Sequence, residues 1–596
     1  MTSLCQKLTA IMESTFEALN LPVEFGVVRV SDRPDLAQFQ CNGAMACANK
    51  MSKDTGPGQE RKTNPRDVAQ SIVEKLQSRS EFSHIEVAGP GFINLNLNVA
   101  YIENHLAEIQ NSTTLGLTKT GDNRTVILDY GGMNVAKAMH VGHLRSLAIG
   151  SCLKNILNIA GYNALGDIHM GDWGLQMGQI ISEFEARNPE WIYFDADYSG
   201  PYPEEPPFEY SELEAIYPQA SKACKDDQER LKQAQTATAA LQNGRPGYRA
   251  LWEHFMTLSI ADIKKNIEPF GINFEIWKGE ACVNDLIPEI TEDLKAKNVI
   301  EESDGALIIP VAQEGDKHDI PPLIYLNSRG AQTYGTTDIG TIYDRIKTYP
   351  NLSAIIYETD QRQALHFEQL FRAGRKAGYL EGIDSKHIGH GTINGSDGKP
   401  FKTRDGGTMK FSDMLASAME KAHQRVQDAN LLDDLTNEER ADIAEKVAIA
   451  ALKYTELSNQ PHMNYVFDLD RMTQFEGKTG PYLLYQAVRI KSLLNKAGEI
   501  DESAPFLIQE EDQKLALLLA EWPDHFRLAV DHLTPHILCE YVYKLAQEFS
   551  SFYAACHILS EVDQALRNSR LKLCALTYKQ IEMILDVLGM SIPTRM

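Results

Sequence analysis

A chain of 596 residues, 43% of them hydrophobic, is long enough for several cored domains rather than one. No apolar run approaches membrane-span length, Lys7, Glu13 and Glu17 interrupt any leader-like stretch, and nine scattered cysteines without a CxxC pair give neither a disulfide framework nor a zinc ribbon. A net charge of -24 argues against a uniformly basic nucleic-acid binder, yet screening confines phosphate attraction to about 10 Å at moderate salt, so local basic patches stay compatible with it. The expectation is a cytoplasmic protein with no membrane contact.

Leu4 to Leu19 has the spacing of an amphipathic helix. The polar stretch Lys53 to Asn64 reads as a loop, and Pro65-Arg66-Asp67 opens a helix to about Gln77. Phe82 to Ala88 and Phe92 to Leu97 read as strands around a Gly89-Pro90-Gly91 turn. An α+β unit over residues 1–115 is expected, and Asn111 to Asp122, small and polar, is its linker.

Thr125 to Leu128 is a short apolar run that reads as a buried strand, closed by Asp129 and Tyr130 and broken by Gly131-Gly132. A helical pattern follows, with Leu144, Leu147, Ala148, Cys152, Ile156 and Ala160 on one face and Gly161 as its stop. Tyr162 to Ile168 is again strand-like, which makes a βαβ unit whose helix starts at the carboxyl end of a parallel strand, where open α/β sheets bind ligands. That helix opens on His140-Val141-Gly142-His143. A helix start offers unpaired N–H groups and positive dipole to phosphate, and two imidazoles three residues apart add donors on the same side. A flat base fits against Gly142. The same four residues also fit a structural or metal-binding histidine pair. Neither GxGxxG nor a P-loop is present.

Residues 188–218, rich in Pro, Tyr and acidic side chains, read as an irregular surface insertion outside the core. Glu212 to Asn266 is mostly helical, and Gly271 to Trp277 resumes strand-like material. In Thr333 to Gly340, Asp338 suits a helix N-cap. Ala354 to Tyr357 is a further strand, ending in Glu358-Thr359-Asp360-Gln361 with His366 a turn beyond. The glycine-rich segment Gly389 to Gly407 carries Lys399, Lys402 and Arg404, as a closing loop that reaches phosphate would. From about Met409 onward, runs of 3.6-residue periodicity with short joints predict an all-α domain.

HVGH at a strand-to-helix junction resembles the HIGH signature of class I aminoacyl-tRNA synthetases, and the string Asn134 to Ser146, NVAKAMHVGHLRS, resembles the arginyl-tRNA synthetase family. FQCNGAM, GPGFINLNL, HMGDWG, YGTTD, FEGKTGPY and the terminal IPTRM resemble further strings of that family, in order along nearly the whole chain. The resemblance implies a Rossmann-like α/β catalytic domain over 116–410 with an insertion around 185–270. An α+β tRNA-elbow domain precedes it at 1–115, and an all-α anticodon-binding domain follows at 411–596. It implies activation of L-arginine by ATP with Mg2+, no structural metal, transfer to tRNA(Arg), and a monomer. His140, His143, Lys137, Lys402 and Arg404 would be catalytic, with Gly142 and Lys399 also on ATP. Asp129, Asn134, His143, Tyr334, Asp338 and Gln361 would hold arginine, and Phe92, Asn94 and Met596 would touch tRNA. KPFKTR stands where KMSKS would be, and GGMN replaces a Ser-x-Pro-Asn form. These departures leave a non-catalytic tRNA-binding relative as the alternative, beside an enzyme activating another cationic substrate.

Overall fold

The computed structural model describes residues 2–54, 63–395, 397–399, 401, 409–428 and 435–596. Two compact units result. The first comprises Met1–Lys119, Tyr482–Asp586 and Ile592–Met596, and the second Thr120–Pro481 with Val587–Ser591.

The first unit begins with α1 (Leu4–Ala18), β1 (Val28–Val30), β2 (Phe39–Cys41), α2 (Gly43–Asp54), α3 (Pro65–Leu76), β3 (Phe82–Ala88), β4 (Phe92–Leu97) and α4 (Val99–Asn111). Its strands form an antiparallel sheet in the order β1-β2-β4-β3. Asn64 caps α3 ahead of Pro65, so the sequence signal and the helix start agree.

The second unit is built on β5 (Thr125–Tyr130), α5 (Val141–Ile159) and β6 (Asn163–Asp167). All six residues of β5 are buried, and α5 is buried along most of its length, as expected of central elements covered on both sides. Next come α6 (Leu175–Arg187), α7 (Tyr210–Asp226), α8 (Gln228–Gln242), α9 (Pro246–Ile267) and α10 (Ile287–Ala296). The hairpin-linked β7 (Glu301–Ser303), β8 (Ala306–Ile309) and β9 (Leu323–Leu326) lead to α11 (Tyr334–Thr348), β10 (Leu352–Asp360), α12 (Ala364–Lys376) and β11 (Asp384–His390). Short β12 (Ile393–Asn394) pairs with β13 (Tyr465–Val466), and between them run α13 (Phe411–Asp428) and α14 (Asn437–Leu457).

The core sheet is parallel throughout, in the order β11-β10-β5-β6. The chain leaves β5 toward β6 on one side and β10 toward β11 on the other. The β5/β10 boundary is therefore a topological switch point, and a crevice opens beyond the carboxyl ends there.

Two local expectations change. Residues 188–208 are irregular and mostly exposed, as expected, and Tyr193, Phe194 and Phe208 anchor them: the Phe208 and Trp191 rings lie 4.7 and 5.5 Å from Phe184. These rings pack the segment against Phe184 of α6 and Phe255 of α9. Residues 210–218, read with it, open α7, which accommodates Pro218 internally. Gly271 to Trp277 is not a strand but runs beside β6 through single bridges such as Asp167 to Ile276.

The chain returns to the first unit through α15 (Leu469–Met472), α16 (Gly480–Ala497), α17 (Gln513–Ala520), α18 (Trp522–His532), α19 (His536–Ala555) and α20 (Gln564–Val587). Within that unit Asp524 of α18 accepts from Ser3 Oγ at 2.5 Å and from Cys5 N at 3.0 Å. Helices from the chain's end thus anchor the start of α1. No helix of the described residues is long and apolar enough to cross a membrane.

Candidate active site

Gly131 and Gly132 end β5 with φ of 101° and 62°, conformations that favour glycine. A side chain of α5 holds the turn. Ser146 Oγ accepts from Gly131 N at 2.7 Å and donates to the Glu358 carbonyl at 3.1 Å, tying the turn to β10. Asn134 then bridges to Gly171 beyond β6.

His140 is the N-cap of α5. Its Nδ1 accepts from Gly142 N at 3.1 Å, and His143 Nδ1 accepts from His140 N at 2.9 Å, a reciprocal box made of two imidazoles. Val141 N donates to Met409 O at 3.0 Å, and His143 N to His140 O at 2.9 Å. The expectation of unpaired helix N–H groups is thus corrected: the first-turn amides are all engaged. With Nδ1 accepting on both rings, the proton sits on Nε2 of each. Donor capacity has moved from the backbone to the outer edges of two imidazoles stacked at 3.9 Å. A Cβ on Gly142 would sit 3.0 Å from the His140 ring and crowd it, and glycine leaves that space open.

Burial, reinforced by the charge of Lys137, lowers the His140 pKa. Burial pushes His143 down to about 3, with His140 and Lys137 adding to it. Both rings are neutral donors at neutral pH.

These groups line a cavity of 630 Å³ at the switch point. Gly131, Gly132, Asn134, Lys137, His140, Gly142 and His143 form one wall. Glu358, Thr359 and Asp360 from β10, His390 at the end of β11 and Gly391 to Ile393 beyond it form the other.

A second group of charges lies at the carboxyl end of the same sheet. Asp129, Asp167 and Tyr357 sit side by side across three strands. Arg345 of α11 spans all three, with Nη2 at 2.6 Å from Asp129 and 2.7 Å from Asp167, and Nη1 donating to the Tyr357 hydroxyl at 3.0 Å. Burial, exceeding the opposing pull of Arg345, raises the Asp129 carboxyl. Two turns earlier on α11, Asp338 meets His366 Nε2 at 2.5 Å. Burial alone would lower the His366 pKa, but the Asp338 bond and charge outweigh it and raise it. Thr333, not Asp338, caps α11, which removes the capping role weighed for that aspartate. Glu280 stands within reach of Asp338's charge: burial first, then Asp338, pushes it up to about 7. Tyr334, 72% exposed, opens the helix beside them.

The comparisons with known proteins follow this layout. A family model described as "tRNA synthetases class I (R), catalytic domain" matches residues 105–469. Models described as "Arginyl tRNA synthetase N terminal domain" and "DALR anticodon binding domain" match 3–97 and 483–596. An arginine–tRNA ligase of Hyphomonas neptunium is 47% identical, and one of Maricaulis maris 45%, each match covering 100% of both chains. The chain belongs to the arginyl-tRNA synthetase family. The solved arginyl-tRNA synthetases of Plasmodium falciparum (TM-score 0.83, 23% identity) and Thermus thermophilus (TM-score 0.77, 21% identity) share its fold over 100% of both chains.

Of the residues singled out from the sequence, the structure gathers Asn134, Lys137, His140, Gly142 and His143 in one cavity. Tyr334 and Asp338 gather with Glu280 and His366. Asp129 is buried and engaged by Arg345, and Gln361 is exposed on the turn after β10. Lys399 is exposed, whereas Lys402 and Arg404 lie outside the described residues. In the first unit, Phe92 is half-buried and Asn94 is 2% exposed, accepting from Gln40 at 2.9 Å and donating to Glu86 at 3.1 Å. Met596 is half-buried. Sequence reasoning passed over Glu280, Arg345 and the Glu358–His390 pair. The only signal for each was a polar residue at a strand end or amid apolar helix positions, which many surface residues share.

Proposed function

We propose that the chain activates L-arginine with ATP, forming arginyl-adenylate and pyrophosphate, and transfers the arginine to tRNA(Arg). The observation that carries this reading is a nucleotide-sized cavity at the switch point sharing its sheet edge with the carboxylate-rich face of α11.

In the first step the arginine carboxylate attacks the α-phosphorus in line, and pyrophosphate leaves. This chemistry needs positioning and charge stabilisation rather than a covalent nucleophile. The Nε2–H edges of His140 and His143 donate to the phosphate oxygens as negative charge grows there, Lys137 supplies a cation beside them, and Gly142 leaves room for the base. Lys399, Lys402 and Arg404 add cations from the following loop. Asn134, Tyr334, Asp338 and Gln361 hold arginine with His143, Asp338 taking the guanidinium, and Asp129 stands toward its ammonium group. Magnesium enters on the nucleotide: Glu358 is already paired with His390 and Asp360 with Arg362, which suits a metal carried by phosphate oxygens rather than one caged by the protein. The close trio Asp129, Asp167 and His169 already contains the Arg345 cation between its carboxylates.

The same reading assigns residues 1–115 to the tRNA elbow through Phe92 and Asn94, 116–410 to catalysis and 411–596 to the anticodon with Met596. It describes a cytoplasmic monomer. Asn94 requires rearrangement of its two sheet bonds before it reaches RNA.

Pyrophosphate exchange with each amino acid, with tRNA(Arg) present, tests the reading. Exchange with arginine alone is expected. His143→Ala lowers mainly kcat, and Asp338→Ala mainly raises the KM for arginine, by roughly tenfold or more for a lost charge-assisted pair. Intact arginine affinity in Asp338→Ala would remove that residue from the site, and tRNA binding without any exchange would favour a non-catalytic relative.

A further inference from the structure

The cavity holds a third imidazole. His390, the last residue of β11, lines the wall opposite the HVGH turn, and its Nδ1 lies 2.8 Å from Glu358 Oε1. Glu358 is 0% exposed, and its other oxygen, Oε2, has no hydrogen-bond partner among the described residues. Among the described residues, His390 is the hydrogen-bond partner of this buried carboxyl. With Nδ1 engaged by that carboxylate, Nε2 is the ring's remaining polar atom. We propose that His390, held by Glu358, contacts the phosphates of ATP, and that Glu358 is its positioning residue. The proposal rests on the nucleotide reading of this cavity.

Three observations converge on it. First, His140 and His143 donate as neutral rings, so the cavity's cations are Lys137, Arg145 and Arg362, and a protonated His390 adds to them. Second, His390 is near enough for its charge to act on His143. Third, the groups around it favour its charged form. Glu358 and Asp360 of β10 attract it, Glu456 of α14 stands behind, and Arg145 and His143 of α5 with its neighbour His387 on β11 oppose it. Burial lowers the His390 pKa, but the charge and hydrogen bond of Glu358 exceed that and raise it. The raised value means that the charge is present below the ring's own pKa and lost as pH climbs through it.

Steady-state exchange with the full chain and tRNA(Arg) tests this. His390→Gln, which can still bond Glu358 but carries no charge, is expected to raise the KM for ATP about tenfold or more while the KM for arginine changes by less than about twofold. Binding of adenosine, which has no phosphate, stays at the wild-type level. Glu358→Gln keeps the shape but not the countercharge, and it shifts the alkaline fall of kcat/KM for ATP to lower pH. Because an orphaned Glu358 could unfold the sheet edge, His390→Phe with Glu358→Met removes both polar partners together, the combination that best spares stability. This double variant is expected to melt near the wild-type temperature and to show the same ATP defect. A folded double variant with wild-type KM for ATP overturns the proposal, as does equal weakening of adenosine and ATP. A wild-type protein that catalyses no arginine-dependent exchange would instead overturn the reading of the cavity.

Discussion

Single side chains in this protein owe their chemistry to neighbours distant in sequence. Asp338 and Glu280 face one another's charge, and Glu280, lifted to about 7, keeps its proton through the interval in which an exposed glutamate would lose it. Its folded-state pKa is raised, so its contribution to stability is full below the ordinary 4.5 and is lost as pH rises through about 7. A guanidinium placed between the two carboxylates needs both ionised. The KM for arginine is therefore expected to rise as pH falls below about 7, and Glu280→Gln to flatten that dependence while weakening binding at pH 8. Exchange kinetics from pH 6 to 8 check this. An unchanged pH profile in Glu280→Gln would separate that glutamate from arginine. Arg345 shows the complementary logic. It holds Asp129 and Asp167, two buried carboxylates from different strands, with one guanidinium.

Among the elements, the turn from β5 into α5 and the aromatic layer of α6 and α9 do separable work. Ser146→Ala leaves the Gly131 amide without its 2.7 Å partner, and an unsatisfied buried donor costs about 1–3 kcal/mol. Because that turn carries Asn134, the variant is expected to lower both the melting temperature and the affinity for arginine. Phe208→Ala empties a site between Phe184 and Phe255, 4.7 and 5.7 Å away. It is expected to cost about 3–5 kcal/mol of stability with near-normal kinetics in the folded fraction, read by denaturant unfolding and exchange. If Phe208→Ala altered the KM for ATP at full folding, the aromatic layer would be part of the site rather than its support.

For the whole molecule, the acidic balance of -24 sets the terms on which it meets a polyanion. Binding must run through local cations and be strongly salt-dependent, since each phosphate neutralised releases condensed counterion. Affinity for tRNA(Arg) is expected to fall roughly a hundredfold or more between about 50 and about 200 mM KCl, linearly on a log–log plot. A flat salt response in filter binding would contradict recognition through phosphate contacts.

The sequence by itself determined the βαβ unit at 125–168, the helical C-terminal region and the positions of HVGH and YGTTD, because periodicity and turn residues are local signals. It missed that residues 210–218, read as part of an irregular insertion, open a helix that accommodates Pro218. Only the tertiary structure decided which polar groups are free. Whether a helix start offers its amides depends on what caps it, and here the two histidines cap it themselves. Whether a carboxylate is a ligand or a counterion depends on strand order, which brings Arg345 to Asp129 across 216 positions and His390 to Glu358 across 32. Pairing between strands is a long-range choice made by packing, and no local pattern of residues encodes it.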